Sequence, residues 1–122
     1  MSNTVLHEVG HRKNRTDALE KVTGRALYPA DLKLDNMAYG YTLRSEMASA
    51  EVTIDKSGAM KQPGVIHVFT AEDVPGHNHH GVLLKDQKIF IENRVTSVGE
   101  PLAFIVAETM EQAIAAAVFV KV

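Results

Sequence analysis

The chain has 122 residues, 45% of them hydrophobic, which is enough for one domain with one core. Lys and Arg number 13 against 15 Asp and Glu, so the net charge is −2 and nucleic acid finds no basic footprint. The absence of cysteine excludes disulfides, thiolate chemistry, iron–sulfur ligation and Cys-based zinc sites within these residues.

In chain order the first feature is HEVGH at 7–11. This is the H-E-x-x-H pattern by which a helix offers two zinc ligands and a general base. On that reading His7 and His11 hold the metal of a zinc hydrolase and Glu8 activates its water. The reading needs a stable helix and a third ligand. The segment has no long apolar stripe to anchor a helix, and the extended signature would put Gly at 14 and His at 17, where Asn14 and Asp17 stand. A polar N-terminal arm over 1–16 is the simpler expectation. Residues 1–25 also lack the apolar core of a secretory signal. LAFIVA (102–107) and AIAAAVFV (113–120) are too short to span a bilayer, so no membrane role is expected. Absence of cysteine fits a cytoplasmic protein.

TDALEKVTG (16–24) predicts one helical turn, begun at Thr16 or Asp17 and stopped at Gly24. MAYGYTLR (37–44) alternates as a strand does, with Met37, Tyr39, Tyr41 and Leu43 on one face; Ala38 and Gly40 on the other imply close packing. AEVTID (50–55) alternates again, with Val52 and Ile54 inward. KSGAMKQ (56–62) reads as a short helix capped by Asp55 or Ser57 and ended by Pro63. VIHVFT (65–70) is apolar on both faces and reads as a central strand. Thr70 and Asp73 form a weak capping box over TAED, and 76–88 reads as a loop. IFIE (89–92) and LAFIVA (102–107) read as strands. Thr109 and Gln112 complete a capping box for a final helix whose apolar face holds Met110, Ala113, Ile114, Ala117 and Val118.

These elements predict an α+β fold: one mixed sheet, short helices, a C-terminal amphipathic helix and right-handed β-α-β crossovers. The closing FVKV reads as the start of a strand, which predicts a piece truncated from a longer polypeptide.

Few groups offer chemistry. His77, His79 and His80 crowd HNHH (77–80) and are candidate ligands for zinc or nickel, against the simpler reading of a solvated loop. Asn78 and Gly81 read as its structural residues. His67 reads as an interior or half-exposed strand histidine. Glu100 in VGEP is either a contact for a neighbouring domain or a plain turn residue. Tyr39 and Tyr41 read as core or interface aromatics.

An ordered set of short motifs carries a family resemblance over about residues 12–122. DALEKVTGRALY (17–28) comes first, followed by Asp31, then Arg44 and Ser45 at the end of a strand. Asp55, Ala59 and the run Pro63, Gly64, Val65 come next, then TAEDVPG (70–76) with Asn78 and Gly81. VGEP (98–101) and VAET (106–109) complete the set. Together they resemble the N-terminal α/β hammerhead domain of the molybdopterin-binding large subunit of the xanthine dehydrogenase and aldehyde oxidase family. One stretch departs. After Arg44 and Ser45 the family usually has proline and then two histidines separated by alanine; here Glu46, Met47, Ala48, Ser49 and Ala50 stand.

The resemblance implies a hammerhead domain over 17–122 with a structural role. It implies a parent molybdenum hydroxylase of the xanthine dehydrogenase kind, active in purine metabolism or on aldehydes, which inserts a water-derived oxygen at an electron-poor carbon. The implied cofactors are molybdopterin-molybdenum in downstream domains, and [2Fe–2S] clusters and FAD on partner domains or subunits. No catalytic, cofactor or metal-binding residue is carried onto 1–122. Self-association through exposed docking surface is also expected. The alternative is a free-standing α/β module that binds a ligand or pairs with itself.

Overall fold

A computed structural model describes Gly10 and residues 12–122. His7, Glu8 and His11 of HEVGH lie outside the described residues. The chain divides into two compact units, one reaching to Leu34 and one spanning Asp35–Val122.

In the first unit, helix α1 (Ala18–Val22) follows Asp17, as the sequence predicts. Asp17 pairs with Arg15 at 2.5 Å and with Lys21 at 2.6 Å. The Thr23 hydroxyl donates to the Leu19 carbonyl at 2.6 Å and closes the turn before Gly24. A 3-10 turn, Pro29–Asp31, is held where the Tyr28 N–H donates to Asp31 Oδ2 at 2.9 Å. Among the described residues of this unit no side chain is buried.

The second unit contains β1 (Tyr39–Arg44), β2 (Ala50–Glu51), β3 (Val65–Phe69), β4 (His79–His80), β5 (Gln87–Lys88), β6 (Arg94–Val95), β7 (Pro101–Ala107) and helix α2 (Met110–Ala117). Single 3-10 turns lie at Ala59–Lys61 and Ala71–Asp73. The main sheet has the order β1-β7-β3, and β2-β6 and β4-β5 form separate two-stranded ladders. All four pairings are antiparallel. The α+β class and the C-terminal helix are as expected, but the β-α-β crossovers do not occur. A crossover needs about a dozen residues or more, usually a helix, and the helical pieces between these strands are three-residue turns.

The central strand is β7, not β3. Leu102, Ala103, Ile105 and Ala107 of β7 are buried, whereas β3 lies at the sheet edge with Ile66 55% exposed. An apolar run fits a central strand or an edge strand whose outer face awaits cover, and β3 is the second kind. IFIE is not a strand. The ladder falls earlier, at Gln87–Lys88, and Ile91 is instead buried beneath the loop, its N–H donating to the Pro101 carbonyl at 2.8 Å. AEVTID forms a ladder only through Ala50 and Glu51, with an isolated bridge from Asp55 to Lys121, and Val52 and Ile54 do pack inward.

Helix α2 is capped as read. Thr109 Oγ1 accepts from the Gln112 N–H at 3.2 Å, and Gln112 Oε1 accepts from the Thr109 N–H at 3.1 Å. Its buried face is turned from the predicted one. Ala113, Ala116 and Ala117 join Val120, Ala103, Ile105, Ala107 and Val68 in the core. Met110, Ile114 and Val118 remain 39%, 48% and 83% exposed. Alanines on both helix and strand lay the smallest side chains against one another, and the larger ones are left on the outer side.

On the opposite face of the sheet, Gly40 pairs with Val106 beside Phe104. A Cβ at Gly40 would collide with the Phe104 ring, which occupies that space. Gly40→Ala is therefore expected to destabilise the chain by about 1–3 kcal/mol, as overpacking does. In a Phe104→Leu background the same change should cost measurably less. Urea denaturation of the four chains checks this as a double-mutant cycle.

Candidate functional site

Three segments converge at the end of β7 where the chain enters it. At the C-terminal end of β1, the Arg44 Nη1–H donates to the Gly99 carbonyl at 2.8 Å. The Ser45 N–H donates to the Glu100 carbonyl at 2.9 Å, and the Gly99 N–H donates to the Ser45 carbonyl at 2.8 Å. Ser45 is buried, and its hydroxyl bonds the backbone of Met47. Gly99 has φ +90°, a conformation that side chains other than glycine's resist, so the turn depends on glycine there. Where the resemblance would place histidines, Glu46–Ser49 are exposed.

Glu100 faces its own loop. Its carboxylate accepts the Thr96 N–H at 2.7 Å, the Thr96 hydroxyl at 2.8 Å and the Ser97 N–H at 3.3 Å. The backbone bond from Thr96 is the main reason its pKa lies below the ordinary carboxylate value. Within this chain Glu100 thus acts as a turn residue.

The hairpin β4–β5 borders the same region. Asn78 is buried at its base: its amide donates to the Phe90 carbonyl at 2.7 Å and to Glu92 Oε1 at 3.2 Å, and it accepts the Phe90 N–H at 3.0 Å. Glu92 is also bonded by Lys88 at 3.2 Å. His79 and His80 form β4 and are exposed, as is His77; His80 Nδ1 lies 3.1 Å from the Gln87 carbonyl. The expected loop over 76–88 thus contains a short ladder, and Asn78 is its structural residue. Between hairpin and loop opens a cleft of about 890 Å³, lined among others by Arg44, Lys88, Arg94, Ser97 and Gly99. Nothing in the sequence singles out Arg94 or the Thr96 donors, because neither belongs to a local motif.

Midway along β3, His67 stands half-exposed with its ring 4.5 Å from that of Phe69. Asp73 accepts the Thr70 N–H at 2.7 Å and the Thr70 hydroxyl at 3.0 Å, and pairs with Lys56. His67 Nε2 is 3.9 Å from the same carboxylate. Tyr41 packs on the core and Tyr39 is half-buried.

No donor set here fits a molybdenum or iron–sulfur centre. The chain has no cysteine, and among the described residues no three His, Asp or Glu side chains come together to hold a metal ion. What the residues can do is fix loops: each carboxylate described above is taken up by nearby donors. Among the described residues no helix is long and apolar enough to cross a membrane.

The sequence profile described as aldehyde oxidase and xanthine dehydrogenase, a/b hammerhead domain, matches residues 23–122. The chain belongs to that family. The hammerhead domain is 42% identical over 109 residues to a probable xanthine dehydrogenase subunit of Bacillus subtilis, covering 88% of this chain and 15% of that protein. It is 33% identical over 102 residues to the nicotinate dehydrogenase large molybdopterin subunit of Eubacterium barkeri, covering 83% and 24%. Its fold matches the aldehyde oxidoreductase of Desulfovibrio desulfuricans with a TM-score of 0.81 at 30% identity, covering 88% of this chain and 13% of that one. The chain thus spans less than a quarter of the length of each of these relatives.

The Lys56–Asp73 pair carries a pH signature in the hammerhead domain. The Lys56 ammonium, with the Thr70 donors, lowers the Asp73 pKa from 3.8 to about 2. A carboxylate whose pKa is depressed on folding stabilises the fold above its unfolded value, and that contribution is lost as pH falls toward the folded one. Stability should therefore drop between about pH 4 and pH 2, and Asp73→Asn should flatten that part of the curve. Chemical denaturation at stepped pH measures both.

Proposed function

We propose that this hammerhead domain is a structural N-terminal module of a molybdenum hydroxylase resembling xanthine dehydrogenase, and that it contributes no reacting group. The parent enzyme hydroxylates a purine-type heterocycle or an aldehyde with oxygen from water. Its molybdopterin lies in downstream domains of a longer polypeptide, and iron–sulfur and flavin domains or subunits carry the electrons away. A polar arm through residue 16 leads into the domain at 17, and the setting is the cytoplasm. The names of the relatives, which include a xanthine dehydrogenase subunit and a molybdopterin subunit, support this reading.

The observation that carries it is apolar surface left without a partner. The first unit forms a helix and a 3-10 turn while exposing Leu19, Val22, Leu27, Tyr28, Leu32 and Leu34. So short a segment gains little by ordering alone, and these side chains suit a surface to lie on. In the second unit only Glu111 and Gln112 of α2 are polar, and a helix apolar nearly all round is normally covered on every side. Its outer stripe of Met110, Ile114 and Val118 is open. Polar groups turned inward onto loops, with apolar groups turned outward, are the pattern of a domain that braces its neighbours.

The purified 122-residue chain should oxidise neither xanthine nor an aromatic aldehyde, with or without added molybdate. Turnover by the chain alone would overturn the proposal. Sedimentation should show concentration-dependent association, and Ile114→Glu with Val118→Glu should return the chain to monomer while leaving its circular dichroism unchanged. A chain that stays monomeric at every concentration would count against α2 as a docking face.

A further inference from the structure

We propose that the cleft between the β4–β5 hairpin and the 96–100 loop is a binding site for a small anion, a carboxylate or phosphate group carried on an apolar or aromatic body. The inference rests on the geometry of the cleft and not on the family reading. Its volume of about 890 Å³ falls within the range of small-molecule sites. Three stretches build it: Arg44 at the end of β1, the hairpin through Ile91, and the loop from Asn93 to Pro101.

The lining carries three cations, Arg44, Lys88 and Arg94, against two carboxylates, Asp86 and Glu100, with His80 beside them. The Glu100 carboxylate is already taken up by Thr96 and Ser97, so it offers a ligand little repulsion. Lys88 is partly engaged by Glu92, which lies outside the lining. Arg94 has no side-chain partner among the described residues; its cross-strand neighbour Glu51 forms no ion pair with it. Arg44 is oriented by its bond to the Gly99 carbonyl, which leaves the rest of its planar fork available. A guanidinium fork matches the two oxygens of a carboxylate or phosphate. Ile89, Ile91, Val98 and Pro101 add apolar wall, which suits a hydrophobic body on the anionic group.

The test is an amide-shift titration of the full 122-residue chain by NMR, using benzoate, phenyl phosphate and the neutral analogue benzamide. Both anions should give saturating shifts at Arg94 and Thr96–Glu100, and benzamide should give none there. Arg94→Ala should weaken the anions about tenfold, as the loss of a charged hydrogen bond does, with Arg94→Lys in between. Arg94 is exposed, so neither variant should disturb resonances away from the cleft. Equal responses to benzoate and benzamide would overturn the proposal. So would affinity unchanged in Arg94→Ala, or shifts spread over all the basic surface and abolished by sodium chloride at the same ionic strength.

Discussion

The structure depends on one strand being paired along both edges, with four of its residues buried. β7 receives hydrogen bonds from β1 on one side and β3 on the other, and α2 packs on the face that carries Ala103, Ile105 and Ala107. Each end of the strand is finished by a polar device that prevents the chain from running on. Before it, Glu100 folds the 96–100 loop back on itself; after it, Thr109 and Gln112 cap the helix that returns over the sheet. The second core cluster, Ile91, Val95 and Leu102, shares the strand through Leu102. Both hydrophobic clusters therefore meet in a single seven-residue segment.

The same arrangement accounts for the division of labour across the surface. The Glu100 and Asp73 carboxylates accept hydrogen bonds from their own loops, and Asn78 bonds the segment at Phe90, so all three are engaged in shaping loops. Apolar side chains are exposed on the outer side of α2, and others are exposed in the first unit. A module with fixed loops and uncovered apolar faces suits service as a shoulder for other domains. In the cleft beside the 96–100 loop, Arg94 is a cation without a side-chain partner among the described residues.

Much of the fold was legible. The strand MAYGYTLR, the close approach at Gly40, the capping boxes at Thr70 and Thr109, the short helix after Asp17 and the structural part of Asn78 all follow from local rules. Capping and alternation act over three or four residues, so a linear reading captures them. Family membership was legible for a related reason: ordered short motifs at set spacing survive in the linear sequence. Less legible were the rank of the strands and the facing of α2. VIHVF and LAFIVA look alike in composition, and only the pairing partners place one at the edge and the other at the centre.

By itself, then, the sequence determined the strands of the main sheet, the two helices, the Thr109 cap, the α+β class and the hammerhead family, because each of these rests on nearest-neighbour chemistry or on motif order. Tertiary structure alone decided that every ladder among the described residues is antiparallel, that alanines rather than Met110, Ile114 and Val118 meet the sheet, and that Arg44, Arg94 and the Thr96–Glu100 loop share a cleft. Those outcomes depend on contacts between residues far apart in the chain, such as Tyr39 with Ala107 and Arg44 with Gly99. Which such contacts form is settled by competition for the same buried space, and no local pattern records the result.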